Sequence, residues 1–109
     1  MTRSANFYYD LSSDTTLNGF TYYFDACFYM SGESTYDHFL RENFSSYEIE
    51  RLDSCTVTVY DEVNDTEVIH DLLKLKATDR ELFTQLHDML HTLVNNQEDY
   101  ILEALDAAI

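Results

Sequence analysis

Phe20-Thr21-Tyr22-Tyr23-Phe24-Asp25-Ala26-Cys27-Phe28-Tyr29-Met30 is the stretch that decides the fold of this chain. Phe20, Tyr22, Phe24, Ala26, Phe28 and Met30 recur at every second residue, the period at which side chains leave a β-strand on one side. Thr21, Tyr23, Asp25, Cys27 and Tyr29 leave on the other. One apolar face and one mixed face describe an antiparallel sheet with a single strongly packed side. Both faces carry aromatics, so covering layers on both sides remain open as an alternative to an exposed face of tyrosines and acids.

Upstream, Asn6 to Leu11 reads as a partner strand that sets Tyr8 and Asp10 beside Tyr23, Asp25 and Tyr29. The Ser-, Thr-, Asp- and Asn-rich run from Leu11 to Gly19 reads as a loop or wide turn. Downstream, Ser34 with Asp37 three residues on, followed by Tyr36, Phe39 and Leu40, predicts a short helix over Ser34 to Phe44. Tyr47 to Leu52, Cys55 to Val63 and Thr66 to Leu75 read as strands, with a turn at Asn64-Asp65. The last of the three can equally begin a helix.

Thr78 and Glu81 form a capping box before the strongest helical pattern in the chain. Leu82, Phe83, Leu86, Met89, Leu90, Leu93 and Val94 lie within about 140° of arc at 100° per residue. Asn95-Asn96 can break this helix before Tyr100, Ile101, Ala104 and Ala108 continue roughly in phase. The expected order is β-β-α-β-β-β-α. This is an α+β fold: a small antiparallel sheet of about five strands, packed by a short middle helix and a longer C-terminal one. Residues 1–109 form a single acidic globular domain.

Twenty-one Asp and Glu stand against six Lys and Arg, a formal charge of −15. The acids run from Asp10 to Asp106 among seven Phe and nine Tyr, and 45% of residues are hydrophobic. A disordered acidic segment lacks that apolar content, so the chain folds and carries its charge on the surface. No Lys or Arg follows Arg80. Glu103 and Asp106, near the end of the last helical stretch, oppose the helix dipole, which favours cations there. Such a surface repels nucleic acid and anionic membranes and attracts basic grooves.

Magnitudes set a condition on that attraction. A compact protein of this mass exposes roughly 6,300 Å², or about one net charge per 420 Å². Duplex DNA carries about one per 110 Å². Imitation of DNA therefore requires the acids to gather on one side.

The candidate patch follows. Asp61-Glu62-Val63-Asn64-Asp65-Thr66-Glu67 concentrates Asp61, Glu62, Asp65 and Glu67 at a hairpin tip. It is no calcium loop, because Val63 and Leu72 fall at ligand positions and the required glycine is missing. Glu48, Glu50 and Asp53 are expected to flank the tip from a neighbouring strand. Asp10, Asp25, Tyr23 and Tyr29 complete the partner-binding set as an acidic and aromatic strand face. Tyrosine buries large area at low entropy cost, and acids around it meet Lys and Arg of a partner.

Enzymatic chemistry finds little support. His87 and His91 sit one helical turn apart, but Asp88 stands where a zincin has Glu, and no third ligand is evident. No Gly-x-Ser-x-Gly elbow, phosphate loop or basic patch occurs, and no cofactor or metal is expected. Cys27 and Cys55 read as two reduced thiols on separate strands. No apolar run approaches the length of a membrane span, and the N-terminus has no charged and apolar leader pattern, so a cytoplasmic location is expected.

In general character, small, acidic, aromatic and without a catalytic motif, the chain is similar to phage and plasmid proteins that occupy the DNA sites of host defence nucleases. That similarity implies a non-enzymatic DNA mimic acting on a nucleic-acid-binding protein such as a restriction enzyme or CRISPR effector, as a monomer or homodimer in the host cytoplasm. The alternatives are an immunity protein or antitoxin for a basic nuclease toxin, and an ordinary halophile domain.

Overall fold

A computed structural model describes residues Met1–Ile109. Four strands form one antiparallel meander in the order β1-β2-β3-β4, and three helices follow. β1 spans Thr2–Leu17, β2 Phe20–Asp37, β3 Glu42–Asp61 and β4 Thr66–Asp71. The helices are α1 (Leu72–Thr78), α2 (Arg80–Asn95) and α3 (Glu98–Ala108). The α+β class and antiparallel sheet are as the sequence predicts, but the order is β-β-β-β-α-α-α.

The strands are long because their hairpins are tight. Asn18 and Gly19 both take positive φ, 54° and 82°, and connect Leu17 to Phe20 in a two-residue turn whose twist suits antiparallel strands. Ser12 to Leu17 is thus paired strand, rather than loop. It tolerates Ser, Thr and Asp because β1 is an edge strand with one open side.

The middle helix is absent. Ser34 to Asp37 ends β2, and residues 38–41 form a four-residue hairpin loop into β3. Asp37 Oδ1 accepts hydrogen bonds from the Phe39 and Leu40 backbone N–H groups, and Arg41 closes the loop at φ 56°. A helix-like turn capped by Asp explains the misleading spacing, and Phe39, 93% exposed, has no core to enter.

The two expected strands Tyr47–Leu52 and Cys55–Val63 are a single strand. Register shifts between Cys27/Phe28 and Tyr29/Met30 leave Asp53 and Glu50 as extra residues on β3. Each bulge breaks the two-residue period, which is why the sequence reads as interrupted.

One face of this sheet is packed. Phe7, Leu11, Phe24, Ala26, Phe28, Met30, Cys55 and Val57 point to the same side by register. Leu72, Leu86, Leu90, Val94, Ile101 and Leu105 complete that core. β4 ends at Asp71 and Leu72 opens α1, which also settles the strand-or-helix ambiguity at Thr66 to Leu75. α2 is capped by Asp79, whose Oδ1 accepts from Leu82 N at 3.2 Å, and not by Thr78, which donates to Lys74 O. α2 ends at Asn95 and α3 begins at Glu98, as the Asn95-Asn96 break predicts. Ile101 and Leu105 point inward from α3, whereas Tyr100 is exposed.

All three helices come after the last strand, and their buried residues pack against one face and leave the other open. The molecule measures 59 × 26 × 20 Å and exposes 7351 Å², more than the ~6,300 Å² of a compact protein of this mass. No helix is long and apolar enough to cross a membrane.

Candidate interaction face

The open face is the unpacked side of β1 to β4. Across β1 and β2 it presents Tyr8 opposite Tyr29, Asp10 opposite Cys27, Ser12 opposite Asp25 and Asp14 opposite Tyr23. Across β2 and β3 the rows continue with Asp25 opposite Thr56, Tyr29 opposite Arg51 and Ser31 opposite Glu48. Glu67 and Asp71 of β4 extend it beside Tyr60 and Thr56. Adjacent strands lie about 4.8 Å apart and same-side residues about 6.8 Å apart along a strand, so the carboxylates form a regular array.

One small cluster organises the centre. The Tyr8 and Tyr29 rings lie 5.0 Å apart at 49°, and the Arg51 guanidinium stands 4.3 Å from the Tyr29 ring centre. Asp53 Oδ1 accepts a hydrogen bond from Arg51 Nε at 2.5 Å, a contact that holds the guanidinium still more firmly in its charged form. Arg51 is therefore already paired. Ser31 Oγ donates to Glu50 Oε1 at 2.5 Å, fixing that bulged carboxylate against β2. Tyr8 and Tyr23 remain 59% and 49% exposed.

The far end of the face is closed by the β3–β4 loop. Thr21 Oγ1 donates to Glu62 Oε1 at 2.8 Å, and the Tyr60 hydroxyl donates to Asp65 Oδ1. Glu62 and Asp65 are thereby drawn over the open face. Burial, together with the negative Glu62 and Asp61, adds to that hydrogen bond in pushing the Tyr60 hydroxyl above its ordinary pKa. Asp61 has a different task. Its Oδ1 accepts from Val63 and Asn64 N–H groups and its Oδ2 from the Asn64 amide, and these bonds hold its carboxyl below the usual range.

Of the predicted partner-binding residues, Asp10, Tyr23, Asp25, Tyr29, Glu48, Glu50, Asp53 and Glu67 share this face, with Glu62 and Asp65 folded over its end. Asp61 does not belong: it shapes the loop backbone. Glu48, Glu50 and Asp53 do not flank the tip from another strand. They lie on the tip's own strand, with Asp53 eight residues or about 27 Å from Asp61. Sequence reasoning missed other acids of this face, among them Asp14, Glu33 and Asp71, and Asp14 was lost with the supposed loop.

The two thiols lie on opposite faces. Cys55 pairs with Ala26 on the core side, and Cys27 pairs with Asp10 on the open side. Burial pushes the Cys55 thiol up to about 12. Burial, then the Asp10 hydrogen bond and the charges of Asp10 and Asp53, raise Cys27, which makes it a poor nucleophile at neutral pH. A thiol reagent is expected to modify Cys27 in the native protein and Cys55 at least ~100-fold more slowly, by way of opening. Equal rates by mass spectrometry would contradict this packing. Because the folded pKa of Cys55 exceeds the unfolded value near 9, its contribution to stability is present below pH 9 and declines as pH rises toward 12.

His87 and His91 line a groove of about 200 Å³ with Phe28, Ile49, Leu52, Leu90 and Val94, and the Phe83 ring lies 5.3 Å from that of His87. No group of three His, Cys, Asp or Glu side chains converges to hold a metal ion. Comparison with protein-family models, with curated proteins and with solved structures gives no match for this chain.

Proposed function

We propose that this chain is a non-enzymatic binding protein that lays its open sheet face into the basic nucleic-acid groove of a partner protein and blocks it. The observation that supports this reading is the segregation of the sheet. All helices pack on one side, while the other displays ordered carboxylates and tyrosines whose lone base, Arg51, is neutralised by Asp53. Carboxylates stand in for phosphates as acceptors for Lys and Arg, and tyrosines supply the apolar contact area that charge alone lacks. A host defence nuclease or CRISPR effector, inhibited by a DNA mimic of phage or plasmid origin, is the partner class this chemistry suits. An immunity protein facing a basic nuclease toxin would use the same surface.

The test uses the chain as bait in host lysate, beside a variant carrying Asp10→Asn, Asp25→Asn, Glu48→Gln and Glu67→Gln. The expected result is a nucleic-acid-binding protein that is released between ~0.1 and ~0.5 M salt, absent from the variant's eluate, and inhibited when the bait is added back. Screening over about 8–10 Å near physiological ionic strength produces that salt release. A partner retained at 0.5 M salt and indifferent to the four changes would overturn the reading.

A further inference from the structure

The open face resembles one strand of nucleic acid more than a duplex in two independent respects. The first is linear charge density. The whole chain's net −15 spread over its 59 Å length is one charge per about 4 Å, so the open face, which carries only part of that charge, is no denser than this. Duplex DNA carries one per ~1.7 Å of axis and each of its strands one per ~3.4 Å. The face is thus no denser in charge than a single strand, and a duplex-like density would need more than twice its charge.

The second is the tyrosines. A duplex turns its base planes inward and offers phosphates and base edges, so a groove built for it has little use for exposed ring faces. A single strand offers bases whose π-faces stack on aromatic side chains, in a basic channel that follows the backbone. β1 carries Tyr8 two residues before Asp10, and β2 carries Tyr23 two residues before Asp25. Ring and carboxylate thus emerge on the same side about 6.8 Å apart, once on each strand. Tyr8 and Tyr23 keep ring surface open to a partner.

We infer that the site this face occupies is a single-strand channel, lined by Lys and Arg with interleaved aromatic residues, in which the tyrosines take the places of bases and the carboxylates those of phosphates. The inference rests on the blocking function proposed above and narrows its partner to proteins that hold unpaired nucleic acid. Arg51, over one face of Tyr29, leaves Tyr8 and Tyr23 as the principal stacking positions.

The test is displacement from two purified probes: a single-strand-binding OB-fold domain loaded with fluorescent oligo(dT), and a helix-turn-helix domain loaded with a fluorescent duplex. The intact chain should displace oligo(dT) at a concentration at least ~10-fold below that needed against the duplex. Tyr8→Ser with Tyr23→Ser should raise the first concentration at least ~10-fold and leave its salt dependence unchanged, since stacking contributes about that much per base. Displacement of the duplex at equal or lower concentration overturns this inference and leaves the blocking function standing. Displacement from neither probe at low salt overturns both.

Discussion

Gly32→Val is expected to lower the melting temperature by roughly 5–20 °C, the largest effect of any single substitution outside the apolar core. A Cβ at residue 32 would lie 2.8 Å from Leu105 Cδ1, 2.9 Å from Leu105 Cδ2 and 2.9 Å from the Ser46 carbonyl oxygen. Leu105 is fully buried, and Ser46 belongs to the backbone of β3, so neither neighbour can move freely. Overpacking of this kind costs about 1–3 kcal/mol, and each kcal/mol is worth ~4–8 °C in a domain near this size. Combining the change with Leu105→Ala should give less destabilisation than the two single changes summed, because the smaller side chain removes one of the two clashes. Additive losses, or a melting temperature unaffected by Gly32→Val, would show that α3 does not press on the sheet at this point.

Removing charge from the open face should strengthen the fold while weakening its interaction. In the variant Asp10→Asn, Asp14→Asn, Asp25→Asn and Asp71→Asn, every changed residue is exposed, and like charges stand on neighbouring strands. At ~10 mM salt the variant should melt several degrees above the natural chain, because net charge far from zero opposes compaction. Raising salt to ~0.5 M should lift the natural chain and close most of the gap by screening. Partner affinity at low salt should fall ~10- to 100-fold, mainly through slower association. If the four amides leave both melting temperature and affinity unchanged, the acids are a solvation layer and not a working surface.

How much of this could be read beforehand depends on where the two-residue period is undisturbed. β2 alternates from Phe20 to Met30 without a break, and its faces were legible residue by residue. α2 was equally plain, since Leu86, Leu90 and Val94 recur at helical spacing and all three are buried. The pairing of β1 with β2 is expected from the sequence, but its tight turn is not, although Asn18-Gly19 is a strong signal for a two-residue turn, because the polar residues before it resemble a loop. Phe39 and Leu40 imitate a helix because Asp37 accepts from the backbone N–H groups two and three residues on, as a helix N-cap does. The candidate face was legible on β1 and β2, where Tyr23, Asp25 and Tyr29 share a parity. That no layer covers it is decided by tertiary packing, since the helices bury Leu72, Leu90 and Ile101 against the opposite face.

The two bulges on β3 act as a pair of phase inversions. Outside them, odd-numbered residues such as Tyr47, Ile49, Cys55 and Val57 belong to the helix side. Between them the rule is reversed for two positions only, so that Leu52 enters the core opposite Phe28 and Arg51 emerges opposite Tyr29. The second inversion restores the original parity, and the rest of a twenty-residue strand is unaffected. The single cation on an otherwise anionic surface is therefore there by local antiphase. Deleting Asp53 or Glu50 would remove its bulge and leave every remaining residue on its present face, whereas straightening one bulge with its residue kept would exchange inside for outside along the whole of one flank.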